Sequence, residues 1–295
     1  QLTQQRAVLL LPSGWLVQLV REQMPQLRTS VMTLDGFIEA CGQGRSETIL
    51  PRLAQEFLLR SLLDSEHFPY FSRIRDQQAL PAQLAGVISA LIRGNVGPEE
   101  FTQVVIALTE DGDSPKNREM ALLYKTYMLT MEATQKVDVE MACYRLVAAL
   151  QAGEADIPFE AVYAADFYAF SPLELALLRE VDKRCELQVG MCYEKQRPRV
   201  FRASQKSVES LCGFLSVRTS EPPAAAFAST AGWRESWPEL PAAASPAVVV
   251  VEAASVRQEI AYAAAEIKRL LTKGLAPNEM LISARDLTTY NGIKD

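Results

Sequence analysis

Few side chains in this sequence are of a type and spacing that can do chemistry. Histidine occurs once, as His67 in Glu66-His67-Phe68-Pro69-Tyr70. Neither a multi-histidine metal cluster nor a two-histidine catalytic site can be built from it, and no partner is spaced to orient its ring as a general base. The five cysteines are Cys41, Cys143, Cys185, Cys192 and Cys212, with no C-x-x-C pair among them. That spacing fits neither a zinc knuckle nor a redox dithiol and reads as the reduced, core-filling thiols of a cytoplasmic protein. The phosphate-cradling patterns G-x-x-x-x-G-K-[ST] and G-x-G-x-x-G are absent, as is the G-x-S-x-G nucleophile elbow. Gly42-Gln43-Gly44 reads as a turn that needs no ligand.

Two constellations remain. Asp166 follows the apolar run Phe159–Ala165, and ligands gather at the carboxyl ends of strands in parallel α/β sheets. An acid at such a place holds magnesium in ATPases. Its neighbour here is Phe167 rather than a second acid, so a cap or turn role is the competing reading. The second constellation is basic. Lys183, Arg184, Lys195, Arg197, Arg199, Arg202 and Lys206 face only Glu186 and Glu194 in that stretch. Cations interleaved with Tyr193 and Phe201 can follow a phosphate backbone and stack bases. A solvated loop is the alternative.

The surrounding elements alternate in type. Arg6–Ser13 is a short apolar strand closed by proline, Trp15–Met24 has helical spacing, and Ser30–Leu34 is a second strand before the helix at Asp35-Gly36-Phe37-Ile38. That order begins an α/β fold. Between 49 and 156 strand signals fade, and apolar residues recur at helical spacing in about five or six segments. Phe159–Ala165 restores the strand pattern. Ser171-Pro172-Leu173-Glu174 then starts a helix with a cap, a first-turn proline and a capping box, and Glu186–Cys192 is a further strand. Residues 220–246 are rich in Ala, Pro and Ser and read as a linker. Val248–Val251, the helix from Ser255 and Met280–Ser283 read as a β-α-β unit. The expected divisions are therefore 1–48, 49–156, 157–219, 220–246 and 247–295.

Length and composition agree with this plan. The chain has 295 residues, a formal charge of −6, 48% hydrophobic and 22% charged residues. That is about two domains of an ordinary globular protein, neither disordered nor a wholly basic nucleic-acid coat. No apolar run reaches the roughly 18–20 residues of a membrane span, and Gln1–Gln5 lacks a signal peptide's basic start. No repeat in the solenoid range is evident.

Taken in order, Leu9-Leu10-Leu11-Pro12-Ser13, Thr33-Leu34-Asp35-Gly36-Phe37, the helical block, Ala165-Asp166-Phe167-Tyr168-Ala169-Phe170-Ser171-Pro172-Leu173-Glu174, Arg257-Gln258-Glu259-Ile260 and Ala284-Arg285-Asp286 resemble the UvrD/Rep-like superfamily 1 helicase core. The phrase at 165–174 is most similar to the D-G-F-x-x-F-[ST]-P-x-E signature in the B subunit of AddAB/RexAB ATP-dependent helicase–nucleases. The resemblance implies a P-loop-NTPase-like (RecA-like) parallel sheet with an inserted all-helical subdomain, truncated at both ends. Pro12 and Ser13 match the strand end of motif Ia. Thr33 and Phe37 match the Thr and Phe of a motif that meets single-stranded DNA. The family's motif-II acid falls on Ala165, and Asp166 falls on its glycine. Arg285 matches an arginine that approaches nucleotide phosphates in active relatives.

What the resemblance implies is a non-catalytic grip on single-stranded or duplex-end DNA in double-strand-break repair and recombination, beside a motor A subunit. Lys195, Arg197, Arg199 and Arg202 join Pro12, Ser13, Thr33 and Phe37 as expected DNA contacts, and Asp166 and Arg285 are remnants of a nucleotide site. ATP, magnesium, an iron–sulfur cluster and an exonuclease domain are implied for full-length members, outside this chain. The phosphate-binding loop would lie upstream of Leu9, and the G-D-x-x-Q segment expected after the 187–192 strand is missing. A helical protein-interaction scaffold, docking through Tyr124, Tyr127, Met128 and Met131, is the alternative function; the same spacing also fits a core stripe. A small-molecule enzyme centred on Asp166 ranks last, because no second polar group can be named for it.

Overall fold

The computed structural model describes residues 6–42, 48–64, 67–109, 114–193, 199, 201–216, 218 and 249–284. They fall into two units, divided between Arg218 and Thr219. Lys195, Arg197, Arg285 and the 220–246 linker expected from sequence lie outside the described residues.

The first unit is built on a four-stranded parallel sheet. Strand β1 (Ala7–Leu11) leads to helix α1 (Gly14–Gln23), β2 (Ser30–Thr33) and α2 (Leu34–Cys41). Strands β5 (Ala161–Ala165) and β6 (Glu186–Gly190) flank helix α9 (Pro172–Asp182), and α10 (Arg202–Cys212) follows. The spatial order is β2-β1-β5-β6. Leu11 sits opposite Thr33, Leu10 opposite Ala164, and Ala165 opposite Gly190. Successive strand side chains point to opposite faces. Leu9 and Leu11 of β1 accordingly join Leu16, Val17 and Val20 of α1 on one face. Val8 and Leu10 pack on the other, with Phe37, Leu177 and Leu178 from α2 and α9. β1 is apolar throughout because both its faces are covered.

Between α2 and β5 the chain makes a helical excursion: α3 (Arg52–Leu63), the single turn α4 (Pro69–Ser72), α5 (Leu80–Arg93), α6 (Pro98–Thr109), α7 (Pro115–Ala133) and α8 (Val139–Ala152). A ladder of β3 (Thr48–Ile49), before α3, and β4 (Lys136–Val137), between α7 and α8, closes the chain around α3–α7, extended by Leu50 N–H donating to the Val137 carbonyl at 2.7 Å. Two-residue strands carry too little pattern to be read from sequence, and this ladder was not expected. The excursion shares one continuous core with the sheet, because α8 packs on both α2 and α9. The divisions expected at 48 and 156 are thus divisions of topology and not of packing.

The aromatic stripe of α7 is core. Tyr124, Tyr127 and Met131 are no more than 1% exposed, so the docking face expected of them is not available. The Tyr124 hydroxyl donates to the Val96 carbonyl at 2.9 Å, and that of Tyr127 donates to Asp138 Oδ2 at 2.7 Å. Asp138 Oδ1 accepts from Met141 N–H and caps α8. Burial, the largest cause, pushes both phenols above their ordinary pKa. Cysteine behaves alike: burial pushes Cys41 and Cys143 up to about 12 and Cys185 to about 11, leaving thiols that are poor nucleophiles. Where α8 meets α9, the buried carboxylate of Glu180 pairs with Lys183 at 2.6 Å and Arg184 at 2.7 Å. Arg184 also donates to the Leu150 carbonyl at the end of α8. Burial raises the Glu180 pKa, but hydrogen bonds from Lys183 and Arg184 outweigh it and hold the carboxyl below its usual range.

The second unit holds α11 (Val256–Thr272), capped by Ser255, and a 3-10 turn at Pro277–Glu279. The strands expected at 248–251 and 280–283 are not formed among the described residues. Val249, Val250, Leu281 and Ile282 are exposed. A strand needs a hydrogen-bonded neighbour, and a run of apolar residues alone does not make one. No described helix in either unit is long and apolar enough to cross a membrane.

Candidate nucleic-acid interface

Parallel strands end on one edge, so the sheet brings the residues after β1, β2, β5 and β6 to a common side. The chain leaves β1 toward β2 in one direction and reaches β5 on the other, which puts the topological switch point between β1 and β5. Crevices at such points are where α/β sheets take ligands. Pro12 and Ser13 follow β1 there and Asp166 follows β5.

The described residues among those expected take different places around this edge. Pro12 is exposed. Ser13 is the N-cap of α1, its Oγ accepting from Leu16 N–H at 3.4 Å. Thr33 caps α2 in the same way, accepting from Gly36 N–H at 3.2 Å. Capping uses each hydroxyl as an acceptor, so its proton can still be given to an outside oxygen. Phe37 is different. It is fully buried, and its ring stacks on Phe159 with centroids 5.7 Å apart. The resemblance placed Phe37 against DNA; here its ring is core and presents no face to a base.

Asp166 is exposed and has a left-handed backbone, with φ of 64°. This conformation suits glycine, and Asp is one of the few L residues that tolerate it, which agrees with its falling on the family's glycine. Around it the loop alternates. Phe167 and Phe170 are buried and stack at 4.7 Å, while Tyr168 between them is 60% exposed. Ser207 of α10 fixes the loop, its Oγ accepting from Phe170 N–H at 2.8 Å and donating to the Phe170 carbonyl at 3.2 Å. Ser171 and Glu174 form both arms of the capping box expected of them.

Of the basic stretch, Arg199, Arg202 and Lys206 are described, and all three are exposed. Arg202 and Lys206 lie four residues apart on α10, on one side of the helix. Tyr193 and Phe201 meet edge to face at 5.9 Å, so the two rings expected among the cations pack on each other. Sequence reasoning missed one neighbour of this edge. Trp15, in the first turn of α1, is 69% exposed; its place among helical apolar residues reads as core unless the direction of the helix is known.

The donor set does not fit a magnesium–nucleotide centre. Asp166 offers one carboxylate, Phe167 stands where a second acid would, and no three metal-ligating side chains cluster among the described residues. The edge offers hydroxyls at two helix starts, and α10, with exposed Arg202 and Lys206, is bonded to the loop after β5.

A family model described as ADDB, N-terminal, matches residues 30–221. No curated protein matches the chain.

Proposed function

The chain belongs to the AddB N-terminal family, that of an AddB-type DNA-repair helicase–nuclease subunit, and on that premise we propose that it is a non-catalytic, helicase-like grip on unpaired DNA. The observation that supports this best is the switch-point edge, to which Pro12, Ser13 and Thr33 belong as strand-end residues, with α10 and its exposed cations held to the loop after β5 by Ser207. In this reading phosphates are held by the hydroxyls of Ser13 and Thr33 and by Lys195, Arg197, Arg199 and Arg202. Phe37, on the buried face of α2, seats that helix in the core. Asp166 and Arg285 are remnants of a nucleotide site, and ATP hydrolysis with magnesium belongs to a motor A subunit that works beside this chain on single strands or duplex ends. The nuclease and its iron–sulfur cluster belong to other parts of the complex, and the compartment is the cytoplasm.

The test is a fluorescence-anisotropy titration of a labelled single strand at several salt concentrations. Each phosphate contact contributes about 0.7 to the slope of log affinity against log salt for a single strand. Changing Lys195, Arg197, Arg199 and Arg202 together to Ala is expected to lower that slope by about 2–3. Binding that ignores salt, or a slope left unchanged in the variant, defeats the reading. Phosphate release by this chain with ATP and DNA is expected to stay at background.

A second reading keeps the degenerate nucleotide fold and assigns the helical excursion to protein docking. Exposed Leu53 and Phe57 on α3 and Val104 and Leu108 on α6 favour it. It is preferred if no strand binds at any salt concentration.

A further inference from the structure

A groove of about 500 Å³ lies between the last turns of α1 and strand β2. Val20, Met24, Pro25, Leu27 and Met32 give it apolar walls, and Arg21 is the one charged residue in its lining among the described residues. Met24, Pro25 and Leu27 are exposed. Pockets that hold metabolites enclose most of the ligand; walls this open suit a chain that passes along them. β2 stands at one end of the sheet, so no strand pairs with its outer side among the described residues.

Edge strands are ordinarily guarded by charged side chains, proline or a bulge. β2, with the sequence Ser30-Val31-Met32-Thr33, carries neither charge nor proline. What reaches it is Arg21, whose guanidinium donates to the Val31 carbonyl at 2.6 Å. Arginine carries its N–H donors in a planar fork that matches a carboxylate, and the Val31 carbonyl uses one of them. Among the described residues no carboxylate pairs with Arg21. The acid beside it in sequence, Glu22, accepts instead from Gln18 Nε2 at 2.9 Å. The groove therefore offers apolar walls, an open strand edge and one cation without an anion.

We propose that this groove docks an extended segment of a partner protein along the outer edge of β2, a segment with an acidic and an aliphatic residue two positions apart. Strand side chains alternate between faces, so residues at that spacing share one. The carboxylate meets Arg21, and the aliphatic side chain enters between Met24, Leu27 and Met32. Backbone pairing at a sheet edge supplies affinity in such complexes, and pockets for alternate side chains supply specificity. A single cation selects a single carboxylate, whereas a nucleic-acid strand draws on a series of them. α1 ends and β2 begins at the edge of the sheet opposite to Pro12, Ser13 and Thr33, so the docking site does not rest on the single-strand reading.

The experiment is an NMR titration of the full chain with isotope-labelled methionine methyl groups. Met24 and Met32 report from the groove, and Met131 and Met141 from the core. The probe is a peptide blocked at both ends, Thr-Leu-Thr-Glu-Thr-Leu-Thr, with a Gln-for-Glu counterpart. The Glu peptide is expected to shift the Met24 and Met32 resonances and to leave those of Met131 and Met141 in place. The Gln peptide is expected to bind about 10- to 150-fold more weakly, the range for one hydrogen bond to a charged group. Arg21→Gln should abolish that preference, and Arg21→Glu should reverse it toward a Lys-for-Glu peptide. Leu27→Ser leaves the Arg21–Val31 bond in place and should weaken both peptides equally. Arg21 and Leu27 are exposed, so these changes cost the fold little. Unmoved groove methyls at millimolar Glu peptide, or equal affinity for the Glu and Gln peptides, overturn the proposal. So do groove shifts from oligothymidylate or octanoate with none from the Glu peptide, which would assign the groove to a nucleic acid or to a free carboxylate. Loss of single-strand binding leaves the proposal standing.

Discussion

Replacing Tyr127 with Phe removes one oxygen from the centre of the helical excursion and keeps the ring. Tyr127 and Asp138 are each 1% exposed, and the phenol donates to Asp138 Oδ2 at 2.7 Å. Asp138 Oδ1 remains bonded to Met141 N–H, so the variant leaves one buried carboxylate oxygen without this donor. A hydrogen bond to a charged group contributes about 1.5–3 kcal/mol, and the apolar burial of the ring is unchanged. The expected loss is about 2 kcal/mol, a shift of about 30-fold in the folding equilibrium. Urea denaturation followed by circular dichroism at pH 7.5 measures it. The pH dependence supplies a second arm. Burial first, and then the charge of Asp138, raise the Tyr127 phenol above its ordinary value, which is about 10. The unfolded chain therefore loses this proton first. The stabilisation is whole below about pH 10 and falls as pH rises further toward the folded value. The gap between parent and variant should narrow in that alkaline range. A Tyr127→Phe protein within about 0.5 kcal/mol of the parent at pH 7.5 would refute the assignment of this pair to the core.

Three further outcomes follow from the same geometry. Arg184→Ala leaves Glu180 buried with Lys183 as its remaining cation and should cost about 3 kcal/mol; because the folded carboxyl titrates below its usual range, the parent should lose this stabilisation as pH falls below about 4.5 and the variant should not, as urea curves from pH 3 to 7 would record. Phe37→Ala should destabilise by about 4 kcal/mol yet leave strand affinity per folded molecule unchanged, as active-fraction-corrected anisotropy would show; a selective loss of binding without loss of stability would return Phe37 to the interface. Among Asp166 variants, Gly and Asn should melt close to the parent, while Ala should cost about 1 kcal/mol for a β-carbon in a left-handed turn; equal melting of all would mean the turn relaxes at no cost.

The two central strands, β1 and β5, were legible because both their faces are covered. Val8–Leu11 and Ala161–Ala164 are short apolar runs ended by Pro12 and Asp166, a pattern that a half-exposed strand would not produce. The start of α9 was legible to the residue, since Ser171, Pro172 and Glu174 each carry a separate cap signal. The α7 stripe shows the opposite case. Spacing showed that Tyr124, Tyr127 and Met131 share a face, but a core face and a docking face have the same period, and only the neighbours decide. At the site, the matched positions Ser13 and Thr33 proved to start helices, and Phe37 to lie on the buried face of α2. Trp15 and Tyr168 escaped notice because an exposed ring and a buried ring are the same letter. In the second unit, Val249–Val251 and Met280–Ser283 have strand composition without a ladder partner among the described residues.

The pinch made by Thr48–Ile49 and Lys136–Val137 has a bearing on how the chain acquires its shape. Ala7 comes to lie beside Ala161, a contact between segments far apart along the polymer, and the entropy of closing so wide a ring slows assembly. Once the five helices α3–α7 have collapsed and their two ends are fastened, most of that distance has already been taken up. The remaining search joins short tethers instead of a long coil. Weakening this fastening should therefore lengthen refolding times more than it speeds unfolding, a kinetic signature for a structural detail of only four residues.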